Sequence, residues 1–137
     1  MAPLSIVVDT NIYISAILFG GKPEQILHLA RSGKIRVFIS PQILHEIVEV
    51  LKVKFDWNED QLAEVEAEIE NLTHKVEPRT GIKFVKSDLE DNKFLEVAVE
   101  SKSQLIISGD KHLLDLKSFK NIKIITITEF LNYCSRL

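Results

Sequence analysis

Four acidic residues, spread along the chain, each adjoin an apolar segment: Asp9, Glu46, Asp91 and Asp110. Asp9 follows the β-branched run Ile6–Val8, which is typical of a strand buried on both faces of a parallel sheet. A carboxylate at the carboxyl end of such a strand lies where open α/β sheets bind their ligands. Four carboxylates gathered at one place would repel one another unless a cation lay between them. The pattern therefore predicts a magnesium or manganese site.

The three later acids are placed on or beside the apolar side of their helices. The residues three, four and seven positions after Asp91 are apolar, so Asp91 begins the buried stripe of a helix. Asp110 has leucines three and four positions further on, and Glu46 borders the apolar arc of another helix. Each acid taken alone could be an N-cap or first-turn residue that satisfies free N–H groups. Because several occur together beside apolar elements, we favour a shared function.

Apolar strands alternate with amphipathic helices along the chain. Strands are expected at 4–8, 37–39, 75–78, 105–107 and 122–127, and a loop around Thr80 and Gly81 leads into the apolar segment 82–85. Helix starts are marked by Thr10, by Ser40 with Pro41, by the pair Asn58 and Gln61, and by the pair Thr126 and Glu129. Strands that alternate with helices imply βαβ units. We therefore expect one domain over residues 1–137, an α/β protein built as a three-layer α/β/α sandwich around a mainly parallel sheet of about five strands.

Composition is that of an ordinary soluble globular domain, with 45% hydrophobic residues and a formal net charge of −3. The slight acidity argues against tight nonspecific nucleic-acid binding but not against an enzyme that grips phosphate through metal. The single cysteine, Cys134, excludes a disulfide framework, and no apolar run approaches a membrane span. A cytoplasmic location is expected. Oxygen ligands without a histidine or cysteine pair favour Mg²⁺ or Mn²⁺ over zinc.

Four short motifs resemble those of the PIN-domain ribonucleases. They are VVDTN at 7–11, SP at 40–41 followed by Glu46, DLEDN at 88–92, and ISGDKHLL at 107–114. The resemblance spans nearly the whole chain in order, and it is closest to the short prokaryotic toxin components related to VapC. It departs from the family at Ser108, where many members have threonine, although the hydroxyl group is kept.

The resemblance implies an acidic quartet of Asp9, Glu46, Asp91 and Asp110, with Asn11 and Ser108 as polar support. Asp9, Asp91 and Asp110 are the expected metal ligands, although Asp88 and Glu90 remain alternatives to Asp91. The implied activity is metal-dependent hydrolysis of RNA phosphodiester bonds by the toxin of a type II toxin–antitoxin system. A homodimer and a small antitoxin partner are implied as well. Lys22, Lys111 and His112 are weaker candidates for contacts with the RNA backbone.

Two other functions are compatible with the same sequence. Haloacid-dehalogenase-type phosphatases also have an aspartate after a buried first strand, but they resemble D-x-D there, whereas this chain has Asn11 at the second position. A non-catalytic interaction module that retains the PIN fold is the other alternative. Four acids kept together argue against such a module, because an unused acid cluster destabilises a fold.

Overall fold

The computed structural model describes residues 3–78 and 92–136. The described strands form one sheet of six: β1 (Leu4–Val8), β2 (Ile35–Ile39), β3 (Thr73–Lys75), β4 (Leu105–Ile107), β5 (Ser118–Phe119) and β6 (Ile122–Ile125). Their spatial order is β3-β2-β1-β4-β6-β5, and neighbours are parallel except for β5 and β6. The expected mainly parallel α/β sandwich is confirmed. The sheet exceeds the expected five strands because the two-residue β5 adds a short antiparallel edge.

Seven helices are found within the same residues. They are α1 (Thr10–Phe19), α2 (Gly21–Arg31), α3 (Pro41–Phe55), α4 (Glu59–Leu72), α5 (Asn92–Ser101), α6 (Lys111–Leu116) and α7 (Ile127–Ser135). None of them is long and apolar enough to cross a membrane, over the part of the chain that the structure describes.

The central strand β1 is paired with β2 on one side and β4 on the other. From β1 the chain moves outward to β2 and β3, and after β4 it moves outward in the opposite direction to β6. The strand order therefore reverses between β1 and β4. In open α/β sheets, such a reversal opens a crevice at the carboxyl ends of the two strands, and ligands bind there.

The helix-start signals agree with the structure at three places. The Ser40 hydroxyl accepts a hydrogen bond from the Ile43 N–H at the start of α3, over 3.1 Å. Reciprocal capping boxes close the first turns of α4 and α7, formed by Asn58 with Gln61 and by Thr126 with Glu129. Because Thr126 caps α7, the last strand ends at Ile125 and not at residue 127.

The expected edge strand is shifted along the chain. The edge strand expected at 75–78 lies at Thr73–Lys75, although the Val76 N–H still donates to the Ile39 carbonyl over 2.9 Å. Pro78 lacks an N–H and falls beyond the pairing. The apolar segment 82–85 lies outside the described residues.

Candidate functional site

Asp9 stands at the junction of β1 and α1 and is only 4% exposed. It is the N-cap of α1, because its Oδ1 accepts a hydrogen bond from the Asn11 N–H over 2.7 Å. The expectation that Thr10 caps this helix was therefore wrong. The carboxylate one residue earlier reaches the free N–H group, and Thr10 becomes the first residue of the helix. The Thr10 hydroxyl is buried and has no hydrogen-bond partner within the described residues.

Ser108 connects Asp9, at the end of β1, to the neighbouring strand β4. It directly follows β4, is 0% exposed, and its hydroxyl donates to Asp9 Oδ2 over 2.5 Å. The Ser108 hydroxyl oxygen also accepts a hydrogen bond from the Asp110 N–H over 2.9 Å. One hydroxyl group thus holds together residues 99 positions apart in the sequence. We call Asp9, Ser108 and Asp110 the aspartate pair and its bridge.

Asp110 is the N-cap of α6 and accepts the His112 N–H over 2.9 Å. The simpler interpretation, that these acids are helix caps, is thus correct for both Asp9 and Asp110. It does not explain their juxtaposition, because a cap needs only its own helix. Both carboxylates stand at the carboxyl ends of β1 and β4, at the point where the strand order reverses.

Burial raises the pKa of Asp9 above its ordinary value, and the nearby negative charge of Asp110 adds to the increase. The hydrogen bonds from Ser108 and from backbone N–H groups oppose this shift. None of the ion pairs within the described residues involves either aspartate. The ionised pair therefore has an electrostatic cost that a bound cation would relieve.

Glu46 lies on α3, where it forms an ion pair with a lysine and does not join the other acids. Its carboxylate pairs with the ammonium group of Lys93 on α5. The side chain of Glu46 is 34% exposed and that of Lys93 only 7%. Within residues 3–78 and 92–136 no three histidine, cysteine or acidic side chains form a group able to hold a metal ion. The structure thus brings Asp9 and Asp110 together and leaves Glu46 in a separate ion pair.

Asp91, the fourth predicted acid, lies outside the described residues, as do the alternatives Asp88 and Glu90. The next two residues, Asn92 and Lys93, begin α5 and are buried.

The polar residues predicted to support the site or bind RNA are mostly exposed. Asn11 contacts Asp9 through its backbone N–H, while its side chain is exposed. Lys22 lies with its ammonium 3.4 Å from the Thr128 hydroxyl, in the first turn of α7. Lys111 and His112 are exposed at the start of α6, directly after Asp110.

Sequence reasoning missed Lys93. Apolar periodicity predicts that Phe94, Leu95 and Ala98 form the buried stripe of α5. A lysine beside such a stripe is predicted to be exposed to solvent. No local signal distinguishes Lys93 from a solvated lysine. In the structure the burial of α5 also includes Asn92 and Val97, so little of the helix circumference is left for solvent.

Three features define the class of protein: a mainly parallel α/β sheet, a strand-order reversal beside β1, and two aspartates at that reversal, of which Asp9 is buried and Asp110 is partly buried. Residues 5–112 match the family model described as PIN domain. This match covers well over half of the chain, which therefore belongs to the PIN-domain family of nucleases, whose members include VapC-like proteins.

Individual comparisons agree with the family. Protein MJ1680 of Methanocaldococcus jannaschii is 35% identical over 119 residues, which span 83% of this chain and 76% of that protein. Among solved structures, VapBC2 from Rickettsia felis, bound to a DNA fragment from its promoter, aligns with a TM-score of 0.61 at 14% identity, covering 90% of this chain and 98% of the other. The Mycobacterium tuberculosis toxin VapC20, which cleaves the sarcin–ricin loop, aligns with a TM-score of 0.55 at 15% identity, covering 86% and 98%. At these identities the structural matches show a shared fold.

The bridge makes Ser108 the most sensitive polar residue of the site. We expect Ser108→Ala to lower the free energy of unfolding by about 1–3 kcal/mol, because it leaves a buried carboxylate oxygen and a backbone N–H without their partner. Ser108→Thr keeps the hydroxyl and should recover most of the loss. Urea unfolding of the two variants and the wild-type protein measures this. Equal stability of the alanine and wild-type proteins would contradict the bridge.

Asp9→Asn should stabilise the metal-free protein at neutral pH. The raised pKa of Asp9 means that the folded state binds a proton there more tightly than the unfolded state does. Protonation of Asp9 therefore adds to the free energy of unfolding at acid pH, and this contribution is lost as pH rises through the folded-state pKa. A neutral amide removes this loss, so we expect a gain of about 1 kcal/mol at pH ~7.5 in a chelator, the usual scale of single substitutions. The gain should shrink as pH approaches 3.8, the ordinary value for aspartate.

Urea unfolding at several pH values measures the difference. The matched control is Asp115→Asn, the same chemical change at an exposed position of α6. An Asp9→Asn protein that is less stable than wild type at neutral pH without metal would show that burial of this charge has no net cost.

Proposed function

We propose that this chain is a single-domain, metal-dependent endoribonuclease that hydrolyses RNA phosphodiester bonds. The observation that carries the proposal is the aspartate pair and its bridge: Ser108 ties the Asp9 carboxylate to the backbone of Asp110 at the strand-order reversal, close enough for the charge of Asp110 to raise the pKa of Asp9. The PIN-domain family provides the reaction class. A binding module would not need two mutually repelling acids at this place.

The chemistry of the donors fits Mg²⁺ or Mn²⁺. Asp9 and Asp110 offer only oxygen atoms. Asp9 accepts from the Asn11 N–H and the Ser108 hydroxyl, and Asp110 accepts from the His112 N–H, which leaves further lone pairs available to a hard cation. We propose that Asp9, Asp110 and Asp91 hold the ion, with Glu46 as the fourth acid of the site. Such an ion, when bound, activates water and neutralises phosphate charge.

The chain's own residues set the geometry. Ser108 and the Asn11 N–H fix both oxygens of Asp9, so its orientation is set before any ligand arrives. Lys111 and His112 are exposed beside Asp110, and we propose them as contacts for the RNA backbone. Lys22 is a weaker candidate because its ammonium lies near Thr128. The expected products have 5′-phosphate and 3′-hydroxyl ends.

The biological role we propose is that of a toxin in a type II toxin–antitoxin system, acting in the cytoplasm. Its support is the VapC-like family and the shared fold with VapBC2 and VapC20. The proposed partners are a small antitoxin and a second copy of this chain. Phe19, Val53 and Phe55 are large apolar side chains that remain exposed and that a partner would cover.

Asp9→Asn and Asp110→Asn should each lower the rate of cleavage of single-stranded RNA at least about 100-fold in Mg²⁺ or Mn²⁺, since each removes a charged ligand. Asp115→Asn should keep the wild-type rate. The measurement is gel analysis of 5′-labelled RNA with and without chelator. Wild-type cleavage by the purified Asp9→Asn protein, or cleavage that survives chelation, would refute the assignment. A phosphoenzyme trapped on Asp9 would favour the phosphatase alternative.

The toxin role is tested in cells. Induced expression of the wild-type chain should arrest growth of a bacterial host, and Asp9→Asn expressed to the same level should not. Immunoblotting confirms equal levels, and RNA from arrested cells should contain new 5′-phosphate ends. Arrest by the wild-type chain and by Asp9→Asn alike would show toxicity unrelated to cleavage. Normal growth with active wild-type enzyme present would leave a nuclease that is not a toxin.

A further inference from the structure

Lys93 carries a positive charge where the fold disfavours one. It is the second residue of α5, in the first turn, where the helix dipole favours negative charge. Its side chain is only 7% exposed, and lysines are rarely buried without a partner. The ion pair with Glu46 compensates for this placement. A buried ion pair is weak support for stability, so its presence in the fold calls for another explanation.

The ion pair lies at the same edge of the sheet as the aspartate pair. Helix α5 leads into the parallel strand β4 and packs against β1, β2 and β4, so its first turn lies near their carboxyl ends. Helix α3 begins just after the carboxyl end of β2, and Glu46 is five residues, or about 8 Å, along it. The ion pair thus joins α3 to α5 within about two helical turns of this edge.

We propose that Lys93 is a positioning residue that keeps Glu46 as its permanent counter-ion, so that Glu46 does not ligate metal and the site holds one divalent ion. The inference deepens the proposed function and rests on it. Two observations support it: the Glu46 carboxylate is already bound to Lys93, and it forms no metal-holding group with Asp9 and Asp110 in the described chain. An ammonium at this place repels a second cation while supplying the positive charge that such an ion would bring.

The test counts bound ions. Isothermal titration of the full chain with Mn²⁺, in the absence of RNA, should give one ion per chain for wild type. Lys93→Met keeps the aliphatic length but removes the charge, which frees Glu46, and we expect two ions per chain. Lys93→Gln is a second neutral variant for the case in which Lys93→Met fails to fold. Lys93→Arg keeps the charge and should stay at one ion.

A second readout is the dependence of RNA cleavage on Mn²⁺ concentration. The rate should rise with an apparent order of one for wild type and Lys93→Arg, and of two for the neutral variants. Two ions bound by wild type, or one ion bound by both folded neutral variants, would overturn the inference. A merely structural tie between α3 and α5 predicts the latter result, with lowered thermal stability only.

The outcomes separate this inference from the proposed function. If wild type binds Mn²⁺ and cleaves RNA while ion number is the same in every Lys93 variant, the inference fails and the nuclease assignment stands. If wild type neither binds Mn²⁺ nor cleaves RNA, both fail together.

Discussion

The hydroxyl group of Ser108 is the contact on which the site depends. Two neighbouring aspartates repel each other, and the repulsion grows as the surroundings become less polar, as they do around the buried Asp9. Ser108 opposes this by donating to the Asp9 carboxylate and accepting from the Asp110 backbone, using both of its hydrogen-bonding capacities. The two acids also cap separate helices, so each has a local reason to stay where it is. Local capping and one shared hydroxyl together hold an arrangement that electrostatics alone would disperse.

The parallel sheet makes this contact possible. Strands β1 and β4 are remote in sequence but adjacent in space, with Val8 paired to Ile107. Because parallel strands end at the same edge, the residues that follow them, Asp9 and Ser108, meet without any long connecting loop. The reversal of strand order beside β1 keeps that edge open to a ligand. Because β1 is buried between β2 and β4, its end determines where the Asp9 carboxylate lies.

Most of the fold could be predicted from local signals, because caps and apolar periodicity act over a few residues. Ser40 and the pairs at the starts of α4 and α7 were predicted in this way and are found. The choice between Asp9 and Thr10 as a cap depends on a one-residue register that propensity does not resolve. The ion pair of Lys93 with Glu46 could not be predicted, because its members are 47 positions apart and neither has a local signal. Tertiary packing decides such contacts.

The acids at this edge are neutralised in two different ways. The aspartate pair has no lysine or arginine partner among the described ion pairs, and burial raises the pKa of Asp9; under the proposed function a bound cation would neutralise this charge. Glu46 is neutralised by Lys93, which is part of the chain and present at every metal concentration. A fixed charge costs folding free energy through its desolvation, whereas a bound ion returns free energy when it binds. The carboxylates of Asp9 and Asp110 thus have hydrogen bonds but no cationic side chain among the described ion pairs, whereas the carboxylate of Glu46 has one.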